Sequence, residues 1–439
     1  MKKLLEALAR VARWLLVCAS LALVLLFAVI GLLHTFRGTP VSSVQVTGEG
    51  EDQVTITDPV FRQTVEAMIH TPLHEGNRVT VLLNGNELFP ALFRDLRAAR
   101  ASITLQVYYA EPGVVADSIR AILSERARAG VRVYCLFDGV GSTLTGEYYD
   151  SLRAAGAHVR RLRPVRLYKL NRAQNRSHVR AVVVDGVVGY TGGFGIADKW
   201  LGDGQHTNQW RDTNVRFTGP AVTQLQAAFA AGWAEASGTL LTGPAFFPAA
   251  GLDSTGTFYA GLLYTAPTIG STPAERFRTL SITGAQRTLY ISNSYFIPDD
   301  DLVRMLRAAA GRGVDVRILA PNRLTDVPSV RLAGRDRYAE LLRGGVRIYE
   351  YQPAMMHAKT FVADGIWSSV GSMNFDNRST ALNDESNLVV YDPRIGARMD
   401  SIFLDDLRRS HEILLPEFDR RRWYDKLLEN GASLISRIL

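Results

Sequence analysis

His178-Val-Arg-Ala-Val-Val-Val-Asp185 and His357-Ala-Lys-Thr-Phe-Val-Ala-Asp364 are two copies of one chemical pattern. Each places a histidine, a cation two residues on and an acid five further, on an apolar run that ends in a glycine turn. In an extended strand, residues i and i+2 share a face, so each imidazole projects beside its own cation, Arg180 or Lys359. The runs Ala181 to Val184 and Thr360 to Ala363 read as buried strands. A lone histidine beside an arginine is usually a satisfied surface or core residue. Two matching segments carry more weight, because two such strands meeting would set two imidazoles and two cations around one anion, such as a phosphodiester.

More than the motif is repeated. Ser102 to Val107 matches Arg287 to Ser292, both rich in β-formers, and helical segments follow at Ala116 to Gly130 and Leu302 to Gly313. Val131 to Leu136 then matches Val314 to Leu319, and Gly156 to Arg160 matches Gly344 to Ile348. The histidines lie 179 positions apart (357 − 178). That period is too long for a solenoid and suits two similar α/β domains. The expected architecture is two mixed sheets flanked by helices, related by a pseudo-twofold around one site. The expected boundaries are an anchor at 1–37, a linker with a short helix at 38–78, a first domain at 79–250 and a second at 251–439. Gly243 to Gly256, rich in Pro, Gly and Ser, marks the join.

These residues resemble the phospholipase D superfamily with its paired motifs, and within it the bacterial cardiolipin synthases. The likeness extends from about Val79 to the C-terminus. It includes Asp138 to Ser142, Trp210-Arg-Asp-Thr213, Ser294-Tyr-Phe-Ile-Pro-Asp299, Gly371-Ser-Met-Asn374, Leu382-Asn-Asp-Glu385 and the aromatic-basic tail. The resemblance implies His178 as nucleophile and His357 as acid/base, although the residues themselves do not decide between them. It also implies Asp212 and Glu385 as the carboxylates that orient the imidazoles, and Ser372 and Asn374 as phosphate contacts. Asp185 and Asp364 read as structural residues of the turns after the strands. The first copy departs from the family twice: Arg180 stands for lysine, and Gly195 stands where an asparagine follows the paired glycines. A missing neutral donor of this kind costs ~10²–10³ in rate elsewhere.

The formal charge of +7 and a pI near 9.4 point to an anionic partner, either a membrane surface or a nucleic acid. Cys18 and Cys135 fall in an apolar helix and a core strand, so no disulfide is expected. The eight histidines are scattered without metal-ligand spacing, and no nucleotide-phosphate loop is present, so neither metal nor cofactor is expected. Trp14 to Leu33 is an uncharged 20-residue run, about one bilayer thickness of helix, preceded by Lys2, Lys3, Arg10 and Arg13. It exceeds a signal-peptide core, and no small-x-small cleavage site follows. The expectation is a single-pass anchor with a cytoplasmic N-terminus and extracytoplasmic domains, weakened a little by Arg37. Phe418 to Leu439 reads either as an amphipathic helix on anionic lipid or as a terminal helix packed on the protein.

The leading reading is a membrane-anchored phosphatidyltransferase that moves phosphatidyl between phosphatidylglycerol molecules through a phosphohistidine. The alternatives are a hydrolytic phospholipase D, a nuclease and a non-catalytic lipid-binding protein. The anchor argues against nucleic acid as the partner, and the intact histidines argue against a non-catalytic role.

Overall fold

The structure is a computed structural model that describes residues 2–35, 44–46, 53–165, 175–249, 256–268 and 270–436. Its first half holds strands β1 (His74–Leu83), β2 (Ser102–Val107), β3 (Arg132–Asp138), β4 (His158–Leu162), β5 (Ala181–Val184), β6 (Val188–Gly192), β7 (Trp210–Arg211) and β8 (Thr213–Thr218). The second holds β9 (Phe258–Thr265), β10 (Thr288–Asn293), β11 (Asp315–Pro321), β12 (Arg347–Tyr351), β13 (Met355–Met356), β14 (Lys359–Ala363), β15 (Trp367–Gly371), β16 (Glu385–Tyr391) and β17 (Ser410–Ile413). Fifteen of these are hydrogen-bonded in one order, β17-β12-β11-β10-β14-β15-β16-β9-β1-β8-β6-β5-β2-β3-β4. Outward from the β9–β1 junction the two directions match strand for strand as far as β12 and β4, beyond which β17 adds one antiparallel edge strand to the second half. β2, β3 and β4 are parallel, as are β10, β11 and β12, and the other neighbours run antiparallel. The expected two-domain mixed α/β fold is therefore present, and its two sheets join edge to edge.

The junction itself is short. β1 and β9 pair only at His74–Ala260 and Asn77–Phe258, with a bulge between. Buried Asn77 holds it: its amide donates to the carbonyls of His74, Phe258 and Ala260, and its oxygen accepts from the Ala221 amide. Larger apolar contacts do most of the joining. One core lies within each half, and a third spans both, packing Phe217, Phe229 and Trp233 with Tyr290, Met356, Leu388 and Phe403. Burying side chains of this size is worth about 1.5–3 kcal/mol each, so the halves are held together by far more than two strand pairs.

The segment 38–78 departs from the linker reading. The short helix is present at Phe61–Ile69, ending at His70 in the left-handed region. Yet Ile56, Phe61, Val65, Ile69 and Leu73 are buried in the core of the second half, and Phe61 stands edge-on to Trp367 at 5.7 Å. The Ile56 amide donates to the Gly284 carbonyl. From residue 53 onward this chain is therefore part of the globular body. Its apolar period is what buries it, and the polar composition of Gly38 to Asp58 hid that. Positions 36–37 of the expected anchor, 38–43 and 47–52 of the expected linker, and 250–255 of the expected join lie outside the described residues.

At the N-terminus, helix Lys2–Thr35 contains the apolar run and is long and apolar enough to cross a membrane. Trp14, Leu15, Leu16, Leu25 and Phe27 are all more than half exposed, so this helix is not a core helix of the domains.

Asp185 and Asp364 occupy equivalent turns. Each has φ of 54°, a left-handed conformation that Asp tolerates because its short side chain bonds locally. The Asp185 carboxylate accepts from the Arg100, Ala101 and Ser102 amides, and Asp364 from those of Gln286, Arg287 and Thr288. Each thus ties the start of β2 or β10 to the end of the histidine-bearing strand. Asp364→Ala should lower stability by about 1–3 kcal/mol, the cost of unsatisfied donors. Turnover per folded molecule should stay within a few-fold of wild type, as thermal melting and rate measured on the same sample would report. A loss of a hundredfold with an unchanged melting temperature would assign the acid to chemistry.

Candidate active site

His178 enters β5 and His357 enters β14, at the end of each sheet half where the parallel strands finish. Neither histidine segment pairs within its own half there. β13, just before His357, runs parallel to β7 of the first half, and the His357 amide donates to the Arg211 carbonyl at 2.7 Å. In the mirrored position Ser177 bridges to Asp384 of the second half, and the His178 amide donates to the Asp384 carbonyl at 2.9 Å. The residues that follow these two partner segments are Asp212 and Glu385.

The carboxylates are consequently exchanged between halves. His178 Nδ1 donates to Glu385, 2.9 Å from Oε2 and 3.1 Å from Oε1. His357 Nδ1 donates to Asp212 Oδ2 at 2.9 Å. A proton fixed on Nδ1 leaves Nε2 as the free lone pair in each neutral ring. The β7 segment is itself locked across the interface by the Arg211 guanidinium, whose Nε and Nη2 meet buried Asp406 at 3.0 and 2.8 Å.

The cations differ in what they hold. Lys359 Nζ donates to Ser294 Oγ at 2.6 Å and to the His357 carbonyl at 2.7 Å, and lies 3.1 Å from His357 Nε2. The Ser294 hydroxyl in turn donates a hydrogen bond to Asn374 Oδ1 at 2.8 Å. Arg180 spans two carbonyls, His178 through Nη1 at 2.8 Å and Phe194 through Nε at 3.1 Å. Its charge acts on His357, and that of Lys359 acts on His178, which places the groups of both halves within one electrostatic neighbourhood.

The two imidazoles, Arg180, Lys359, Asp212 and Glu385 are all buried, and burial is the largest single influence on the titration of each. It pushes His178 well below the usual imidazole range, with Arg180, Lys359 and Arg378 adding to the effect. His357 falls to about 4, where burial and Lys359 outweigh the Asp212 partner. Lys359 falls to about 7, by burial and by the Arg180 charge. The carboxylates diverge. Burial raises Glu385 to about 7, whereas at Asp212 the His357 and Trp200 hydrogen bonds and the Lys359 charge overcome burial and hold it low.

Ser372 differs from its expected role as a phosphate contact. Its hydroxyl donates to Glu385 Oε2 at 2.5 Å and accepts from the Ser386 amide, so both of its functions are committed to fixing the carboxylate. Asn374 uses its oxygen on Ser294, which leaves its amide protons for a ligand. Four residues escaped the sequence reading. Ser294 links Lys359 to Asn374, Tyr108 stands edge-on to His178 at 5.2 Å, Trp210 lies against His357 at 4.6 Å, and Trp200 bonds Asp212. Ser294 and Trp210 sit inside quoted motifs, and that proximity was the available signal.

Residues 280–407 match the family model described as "Cardiolipin synthase, PLD-like domain". The chain is 35% identical over 370 residues to a cardiolipin synthase of Geobacillus kaustophilus, covering 84% of this chain and 74% of that protein. It is 36% identical over 376 residues to cardiolipin synthase A of Pseudomonas fluorescens, covering 84% and 76%. Among solved structures, phosphatidylserine synthase of Haemophilus influenzae superposes with a TM-score of 0.66 at 13% identity, covering 86% of this chain and 99% of that one. Polyphosphate kinase of Porphyromonas gingivalis gives 0.53 at 10% identity, covering 90% and 57%. These two show likeness of fold.

Gly195 has a structural reason to lack a side chain. A Cβ there would lie 2.8 Å from two ring carbons of Trp200 and 3.0 Å from the Tyr109 carbonyl. The indole fills the space and donates from Nε1 to Asp212 Oδ2 at 2.8 Å, the same oxygen that receives the His357 proton. The missing asparagine is thus the consequence of a close approach by Trp200. Gly195→Asn should displace the indole and lower turnover by about 10²-fold or more, the scale of a lost site hydrogen bond. A faster enzyme would show that the glycine is a decayed phosphate contact.

Proposed function

The chain belongs to the cardiolipin synthase family of phospholipase D-like phosphatidyltransferases, and we propose that it passes phosphatidyl between two phosphatidylglycerol molecules through a phosphohistidine on His178. The observation that carries this reading is the exchange of carboxylates. It fixes the tautomer of both imidazoles and gives them partners of different charge.

His178 rests against Glu385, which at about 7 is half protonated near neutrality, and its imidazole is held strongly neutral. A neutral ring with a free Nε2 is a nucleophile. His357 rests against ionised Asp212, which stabilises an imidazolium as it forms, and that suits a group cycling between acid and base. In the first step the His178 Nε2–P bond forms and the P–O bond to glycerol breaks, with His357 giving its proton to the departing alkoxide. In the second, the free hydroxyl of another phosphatidylglycerol gives its proton to His357 and attacks phosphorus. The P–N bond breaks, releasing cardiolipin. Lys359, Arg180 and the Asn374 amide face the charge that accumulates on the phosphoryl oxygens. A phosphodiester between Lys359 and Arg180 would offset the two charges that add to burial in depressing the His357 ring, and so favours its protonation when substrate is bound.

His178→Ala should form no acid-labile phosphoenzyme from phosphatidylglycerol labelled at phosphorus. His357→Ala should accumulate one and turn it over at least ~10²-fold more slowly. Thin-layer separation of the wild-type products should show cardiolipin and glycerol; phosphatidic acid alone would make the acceptor water. Reversed phenotypes would exchange the two roles.

The helix Lys2–Thr35 supports single-pass anchoring. Lys2, Lys3, Arg10 and Arg13 on its N-terminal side favour a cytoplasmic N-terminus and domains outside the cytoplasmic membrane. Protease added outside intact spheroplasts should then digest the domains. Protection that ends only on lysis would reverse the topology.

A further inference from the structure

The C-terminal helix Trp423–Ser436 is turned inside out relative to an ordinary surface helix. Its buried face is anchored by Glu429, only 2% exposed, which accepts from Arg335 Nε at 3.0 Å and Arg421 Nε at 2.8 Å. Its outward face carries Trp423, Tyr424, Leu427 and Leu428, at 75, 38, 62 and 58% exposure. At 100° per residue these four lie in one stripe. Single exposed apolar side chains are ordinary, but a stripe led by a three-quarters exposed tryptophan marks a contact surface. The basic residues divide between the two faces. Arg421 turns inward over the Phe418 ring, 3.7 Å from its centre, whereas Arg420 and Arg422 remain exposed beside the stripe.

The helix is fixed in relation to the site. Arg335, which holds Glu429, also bonds Glu350 of β12 at 2.6 Å and belongs to helix Pro328–Arg335. That helix follows the loop at the end of β11, where Asp326 accepts the Tyr295 hydroxyl at 2.7 Å. The Tyr295 ring lies 5.9 Å from Lys359 Nζ. In the same loop Leu324 is 37% exposed. The stripe therefore stands on the same end of the sheet as the histidines.

We propose that Trp423, Tyr424, Leu427 and Leu428 insert into the interfacial layer of an anionic bilayer, with Arg420 and Arg422 on the headgroups, and hold the active-site end against the lipid surface. Two aromatic residues, two leucines and flanking arginines are the composition of an interfacial helix. The formal charge of +7 complements an anionic surface. The inference rests on the phosphatidyltransferase reading, since a site that takes its substrate from a bilayer must face it. The N-terminal anchor sets distance from the membrane, and this second contact sets orientation.

The test uses the full-length chain in phosphatidylglycerol vesicles that contain lipid brominated on the acyl chain. Bromine should quench a tryptophan signal that is missing from Trp423→Phe, a substitution too conservative to unfold the helix. The double variant Leu427→Asp/Leu428→Asp should lose about tenfold or more of its turnover on vesicles while retaining turnover on monomeric short-chain phosphatidylglycerol. Identical quenching of wild type and Trp423→Phe would overturn the proposal. So would equal losses on both substrates, or a wild-type dimer that the double variant dissociates, since the stripe would then cover a second copy. If wild type turns over neither substrate while the Trp423 signal is still quenched, the catalytic reading fails and the membrane contact stands.

Discussion

The hydrogen bond from each imidazole to a carboxylate of the opposite half is the constraint on which the rest of the structure depends. Among the described residues, the carboxylate that meets each imidazole comes from the opposite repeat: Glu385 for His178 and Asp212 for His357. A single repeat would contain a histidine, a cation and a carboxylate, with that carboxylate aimed at a ring the repeat does not possess. Two features keep the exchange in register. Short backbone pairings, β13 with β7 and Ser177 with Asp384, carry the partner segments past each other. Behind them the shared apolar core and the buried Arg211–Asp406 pair prevent either half from sliding. Misplacing a reacting group by about an ångström can cost ~10²-fold in rate, so on the proposed mechanism rigidity between halves serves catalysis as well as stability.

Symmetry of the backbone coexists with asymmetry of the chemistry, and the asymmetry arises from a few side chains. In the second half Ser294, Lys359 and Asn374 form a chain of polar contacts at the site. The first half puts Tyr108 against His178 and brings the bulky Trp200 indole up to the backbone of Gly195. The indole proton then helps to keep Asp212 ionised, while Glu385, buried and bonded to the neutral donors Ser372 and Asn383, drifts up to about 7. Two carboxylates in mirrored positions thus acquire different charge states. On the proposed mechanism, that difference is what would divide nucleophile from acid/base between otherwise equivalent histidines.

Much of this was legible in the sequence because it depends on local period and residue type. The histidine strands, the parallel strand pairs and the apolar N-terminal helix all follow from alternation, β-branching and length. The partner assignment did not, because Asp212 and Glu385 are set by the crossing of chains 145 and 207 positions apart, and one-dimensional spacing has no term for that. Gly195 read as a loss because the residue that fills its space, Trp200, lies five positions on in a turn whose shape the sequence does not state. Ile56 read as linker because the polar composition of Gly38 to Asp58 masked it, and the short helix was legible in the sequence while the core that its Phe61, Val65 and Ile69 enter was not. The C-terminal helix read as ambiguous for a related reason. Its amphipathic period is clear, but the face that turns inward is chosen by a buried ion-pair cluster rather than by hydrophobicity.

That last choice has an energetic logic. Burying a carboxylate costs several kcal/mol unless it is paired, and Glu429 is paired twice, with one partner, Arg335, shared with Glu350. Such a cluster adds little net stability over an apolar contact of equal volume, but it penalises any rotation of the helix that would unpair a charge. Apolar packing tolerates rotation and sliding far more readily. A helix whose leucines faced inward would be stable in water and indifferent to lipid. Holding it by charge instead leaves the apolar face free for the bilayer and specifies its direction, so the lipid surface and the two histidines are oriented by the same chain of contacts, Glu429 to Arg335 to Glu350 and the end of β12.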